Sequence, residues 1–150
     1  MNVSDFYNEI NKLAPFETAM SFDNCGLLIG NPNQTVKNCL FALDITNNVI
    51  DSAIEKQAQL IITHHPVIFD RLANIPENSV VYRLIQNNIS VISAHTNLDI
   101  AKNGVNDTLA KLCGLEKFKR LPNCEECCNI GLLPEKISVK EFAKKIKNSL

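Results

Sequence analysis

The sequence predicts an α/β fold, a mostly parallel sheet of βαβ units with flanking helices. Three observations lead there. Short apolar runs of strand length recur as CLFALD (39–44), LIITHH (60–65) and ISVISAH (89–95). Segments of helical period lie between them. Each connection is long enough to hold a helix, which favours parallel strands joined by right-handed crossovers.

The elements follow in order. MNVSDFYNEINKL places Val3, Phe6, Ile10 and Leu13 on one helical face and lacks the basic start and apolar block of a signal peptide. FDNCGLLIGNPNQ reads as a strand or extended loop closed by a turn at Asn31 and Pro32. After CLFALD, the run ITNNVIDSAIEKQAQ carries Val49, Ile50, Ala53, Ile54 and Gln57 at helical spacing, with Thr46 or Asn47 as N-cap. A helix over 79–87 (Val80, Val81, Leu84, Ile85) leads into ISVISAH, and another over 103–112 puts Val105, Leu109 and Leu112 on one face with Gly114 as its stop. The chain closes with SVKEFAKKIKNSL, where Ser138 and Glu141 form a capping box and Val139, Phe142, Ile146 and Leu150 a packing stripe. With no internal repeat, low-complexity segment or linker, residues 1–150 are expected to form a single α/β domain.

Composition excludes more than it selects. Lys and Arg total 15 against 16 Asp and Glu, a formal charge of −1, so no long-range field draws nucleic acid or an anionic membrane. No apolar stretch approaches the ~18 residues of a membrane span, so the expectation is a soluble, cytoplasmic protein. Six cysteines without an export signal argue for reduced thiols. Cys25, Cys39 and Cys113 are scattered and read as small, buried or half-buried residues. NCEECCN groups Cys124, Cys127 and Cys128, but neither a second C-x-x-C nor a nearby histidine completes a zinc site, so exposed or redox-active thiols are expected. No phosphate-loop, dinucleotide or nucleophile-elbow motif is present.

The chemistry concentrates in the three histidines of the chain. If the strands are parallel, the first delivers Asp44, the second His64 and His65, and the third His95 to one edge, with Asp99 following in HTNLD, which predicts a metal site at the C-terminal edge of the strands. Imidazole nitrogen and carboxylate oxygen are the ligands a borderline divalent cation takes. Adjacent histidines inside a strand would point to opposite faces, but Pro66 ends the ladder and turns the chain. Two diverging imidazoles would suit two ions bridged by a carboxylate such as Asp99. Plainer readings stand beside these. Asp44 reads as a cap of the following helix, His95 as an imidazole beside the coordination sphere, Thr63 and Thr96 as groups satisfying local backbone, and Asn24 and Asn97 as turn residues rather than substrate contacts.

FDNCGLLIG, ALDIT, LIITHHPVIF and AHTNLDIAKNGVNDTLAKLCGL together resemble the N-terminal half of the dinuclear metal-centre proteins called GTP cyclohydrolase 1 type 2 homologs. The resemblance runs to about Leu115. It implies an α/β fold with two divalent ions (zinc, iron, manganese or magnesium) in a cleft and assembly as a homo-oligomer, a toroidal hexamer among the forms. By motif position His64 and His65 would each bind metal, Asp99 would bind or bridge, and His95 would lie in or beside the coordination sphere. The family completes its site with a later histidine and glutamate in a longer chain, whereas this sequence has no histidine after His95. It therefore reads as a truncated front half.

Two functions are expected. One is a metal-dependent hydrolase acting on a nucleotide or phosphoester, in which His64, His65 and Asp99 hold metal and His95 serves catalysis by moving a proton. The other is a non-catalytic metal-binding scaffold or regulatory partner. The resemblance names GTP cyclohydrolase chemistry, but no residue pattern marks a guanine pocket, and the small-molecule substrate stays open.

Overall fold

The runs LIIT (60–63) and ISVIS (89–93) carry so little charge or large polar surface that both faces of the strands they form can be covered. The structure, a computed structural model, describes residues 1–121 and 128–150. Strands β1 (Gly26–Ile29), β2 (Cys39–Ala42), β3 (Leu60–Thr63) and β4 (Ser90–Ser93) make one sheet in the order β1-β4-β3-β2. The central pair, β3 and β4, is buried along its whole length. β2, β3 and β4 are parallel, and β1 runs antiparallel to β4.

Helices cover both faces. Ile61 and Val91 point to one side, where they pack with Ile50 and Ala53 of α2 (Asn47–Glu55) and Val81 and Leu84 of α3 (Val80–Gln86). Their neighbours Leu60, Ile62 and Ile92 point to the other, against Val3, Phe6 and Ile10 of α1 (Val3–Leu13). This alternation is the period-2 pleat. The helices begin where the sequence offers caps: Thr46 accepts from the Val49 amide and Ser79 from the Tyr82 amide. Asn2 and Asp5 close α1 with a reciprocal capping box.

The chain divides into two compact units, Met1–Leu98 and Asp99–Leu150. α4 (Thr96–Ile100) straddles the division. The second unit holds α5 (Val105–Leu112), an antiparallel pair β5 (Glu116–Arg120) and β6 (Asn129–Leu132), and α6 (Val139–Ser149). Gly114, at φ +75°, stops α5 in the left-handed conformation that favours glycine. Ser138 and Glu141 cap α6 reciprocally. The apolar stripe of α6 is only partly used: Phe142 and Ile146 are half-buried, whereas Val139 and Leu150, at its two ends, are exposed. The short β5–β6 pair has no counterpart in the sequence reading, because Glu116, Lys117, Lys119 and Arg120 carry no apolar alternation. Cys25, Cys39 and Cys113 are half-buried as expected; Cys128 is exposed, and Cys124 and Cys127 lie outside the described residues. No helix among the described residues is long and apolar enough to cross a membrane.

Candidate metal centre

Register decides what meets at the sheet edge. Ala42 pairs with Thr63, and Thr63 with Ser93, so the three parallel strands end level. The residues just beyond them, Asp44, His64, His65 and His95, emerge together at the edge where open α/β sheets bind ligands. Antiparallel β1 pairs Gly26 with Ser93, so its approach segment reaches the same edge from the opposite direction. That brings Asp23, Asn24 and Cys25 to the site.

The three imidazoles converge. One ligand nitrogen from each of His64, His65 and His95 lies within 4.8 Å of the others, and the ring centroids are 5.0, 5.1 and 5.5 Å apart. The expected divergence of His64 and His65 does not occur. β3 ends at Thr63, both histidines follow on bends, and their amides still reach the end of β2 and the residue after it, His64 to the Ala42 carbonyl and His65 to the Leu43 carbonyl. Outside the pleat, alternation no longer dictates opposite faces.

Each ring is held by its Nδ1. His64 Nδ1 donates to the Ala94 carbonyl at 2.9 Å, His65 Nδ1 to Asp44 Oδ1 at 2.6 Å, and His95 Nδ1 to Asp23 Oδ1 at 3.0 Å. A carbonyl or a carboxylate can only accept, so each neutral ring carries its proton on Nδ1 and its lone pair on Nε2. Oxygen acceptors behind imidazoles fix tautomer and ring orientation in this way at metal sites. The donor set therefore fits a borderline divalent cation: three neutral nitrogens with their lone pairs on one nitrogen type.

Asp44 is the first correction among the polar residues. Thr46 caps α2, and Asp44 turns instead to His65, with the pair partly open to solvent. Asp23 is a residue that sequence reasoning missed. Its side chain has no solvent exposure, and it accepts from the amides of Asn24 and Thr96 and from Cys25 Sγ, His95 Nδ1 and Thr96 Oγ1. Burial pushes its carboxyl up, but the hydrogen bonds from Cys25, Thr96 and His95 outweigh that and hold it well below the usual carboxylate range. Cys25 is pushed up to about 11 by burial and by its bond to Asp23, so it stays a protonated donor. Asp23 lies in the FDNCGLLIG stretch that carries the family resemblance, before a glycine-led strand, but neither signal gives its partner.

The remaining candidates mostly stabilise structure. Thr63 Oγ1 and Ser93 Oγ share a buried hydrogen bond of 2.8 Å between the strand ends, and Thr96 Oγ1 binds Asp23 while accepting from the Met20 amide. Asn24 Nδ2 donates to the Ile68 carbonyl at 2.6 Å, and Asn97 Nδ2 to the Ala14 carbonyl at 2.7 Å, just past α1. Asn97 is fully buried, and its Oδ1 has no hydrogen-bond partner among the described residues. Asp99 is the fourth residue of α4 and begins the second unit.

Comparison with known proteins bears on the fold as a whole. A family model described as Duf34/NIF3 (NGG1p interacting factor 3) matches residues 1–150. A GTP cyclohydrolase 1 type 2 homolog of Clostridium acetobutylicum is 36% identical over 99% of this chain and 59% of its own length. A homolog of the same name from Staphylococcus epidermidis is 43% identical over 81% of this chain and 34% of its own length. Among solved structures, reduced HcgD from Methanocaldococcus jannaschii is 35% identical with a TM-score of 0.87, covering 99% of this chain and 60% of that one. A Bacillus cereus protein related to NIF3 is 39% identical with a TM-score of 0.75, covering 80% and 34%. The chain thus spans three-fifths or less of the length of these relatives.

Proposed function

From the premise that the chain belongs to the Duf34/NIF3 family, we propose that it binds divalent metal through His64, His65 and His95 and serves as a metal-dependent hydrolase on a nucleotide or phosphoester. The observation that carries the reading is the convergence of three imidazoles within 4.8 Å, each with Nδ1 given to an oxygen acceptor. Asp99 is the carboxylate we assign to complete or bridge the site, on the sequence argument. Zinc, iron, manganese and magnesium are the candidates, and the nitrogen-rich set favours the first three over magnesium. A cation held there would supply Lewis-acid polarisation of a substrate oxygen and charge stabilisation.

The residues themselves divide the work. His64 is anchored to the backbone carbonyl of Ala94. His65 stands at the open side, where Asp44 holds its ring. His95 carries two alternative assignments, ligand or proton carrier: with Nδ1 given to Asp23, its Nε2 can hold metal or take a proton but not both, and the ionised Asp23 carboxylate orients the ring in either case. Self-association is part of the same proposal.

Elemental analysis of purified wild type beside His64→Ala and His95→Gln, with mass in solution measured on the same samples, tests it. Wild type should retain metal and His64→Ala should lose most of it. If His95 is a ligand, His95→Gln lowers the metal content; if it only carries a proton, the metal stays and turnover of a nucleotide and phosphoester panel falls. A wild type free of metal after purification, and unable to take up zinc, iron or manganese, would overturn the reading. A metal-loaded protein inert toward the whole panel would leave the scaffold function in its place.

A further inference from the structure

We propose that Phe69 is a substrate-positioning residue and that the ligand of the three-histidine site carries a planar unsaturated ring, which lies against the phenyl face. The inference rests on the metal-site reading for the location of the ligand and adds to it the class of compound bound.

Phe69 lies on the connection between β3 and α3, residues 64–79, which starts with the two histidines and contains no helix or strand. Connections longer than about 12–15 residues without structure of their own are uncommon in compact domains and are often binding loops. This one is not left to drift near the site, because Asn24, beside Asp23, holds the carbonyl of Ile68 at 2.6 Å. The residue before Phe69 is thus tied to the segment that orients His95.

The ring centroid of Phe69 is 6.4 Å from that of His95, and the planes meet at 82°. A perpendicular contact leaves no face-to-face stack between the two rings. Phe69 remains 48% exposed, although Val67 and Ile68 just before it pack against the core. Exposure alone is common for apolar side chains of this chain, but an aromatic ring left half in water beside the three-histidine cluster is placed to serve as a wall for a ligand bound there. Leu72 and Ile75, further along the same loop, are each 47% exposed. Aromatic faces prefer flat, polarisable partners in offset or edge contact, and a planar heterocycle gains more there than a sugar or an acyclic ester.

The test compares two ligands that differ only by a base. Binding of adenosine 5′-monophosphate and of ribose 5-phosphate is measured by calorimetry on metal-loaded wild type and Phe69→Leu, with metal content determined on each sample. Phe69→Leu keeps apolar bulk and removes the aromatic face. The expected result is about ten-fold tighter binding of the nucleotide by wild type, a preference erased in Phe69→Leu with ribose 5-phosphate binding and metal content unchanged. Equal binding of the two ligands by wild type, including no binding of either, would overturn the proposal. So would equal weakening of both ligands in Phe69→Leu, which would make Phe69 a support for His95. If wild type holds no metal yet still prefers the nucleotide through Phe69, the metal reading falls and the stacking role stands.

Discussion

Asp23 shows how much of this site depends on groups that would touch no ligand themselves. Its carboxylate collects five hydrogen bonds, from the Asn24 and Thr96 amides and from Cys25, His95 and Thr96 side chains, and so ties β1's approach segment to the start of α4. Removing such an acceptor lets the imidazole rotate and changes its tautomer balance. Replacement of the group behind a metal-binding histidine weakens metal by about 10–100-fold. Asp23→Ala is expected to fall in that range in zinc titrations, while Asp44→Ala, whose bond to His65 is open to solvent, should weaken zinc less. The reverse order would show that burial does not set the strength of these supports. At this scale the sequence exposed the metal-binding residue types but not their holders, because a hydrogen bond spanning 72 residues, as between His95 and Asp23, has no local spacing to read.

Among the elements, the parallel core was legible and its antiparallel neighbour was not. Apolar runs and helical periods were enough to place β2, β3, β4, α2 and α3, since each pattern is set within a few residues. β1 is as short as the others, and nothing in GLLI states which way it runs against β4. Direction is fixed there by the path from α1 and by the turn that follows. Gly30 makes that turn at φ +109°, and a Cβ on it would fall 2.7 Å from Ser90 Cα. Backbone cannot give way as a flexible side chain would. Gly30→Ala should therefore destabilise the protein by about 1–3 kcal/mol in urea unfolding, from strain added to an unfavourable φ. A change below a few tenths of a kcal/mol would mean that the β1–β4 register relaxes freely. α4 also escaped the sequence reading, because five residues beginning at Thr96 are too few to display a helical period.

At the scale of the whole molecule, metal and fold should be coupled. Three imidazoles gathered at the ends of separate elements form one site only while the sheet is intact, so a cation that binds them binds the folded state. Stabilisation then follows mass action, about 2.7 kcal/mol at a concentration one hundred times the dissociation constant. Thermal melts should rise with added zinc or manganese, fall after chelation, and respond little to metal in His64→Ala. Equal melting with and without metal in wild type would separate the cluster from stability. The same melts, followed by mass in solution, report whether metal alters self-association.

The sequence by itself determined the fold class, the family and the identity of the three imidazoles, because periodicity, strand length and short motifs are written in consecutive residues. Only the tertiary structure decided that His64 and His65 converge, that Asp44 turns to His65 rather than capping α2, and that Asp23 stands behind His95. Those outcomes depend on strand register, on the direction of β1 and on where β3 stops, all of which are settled by packing between segments far apart in the chain.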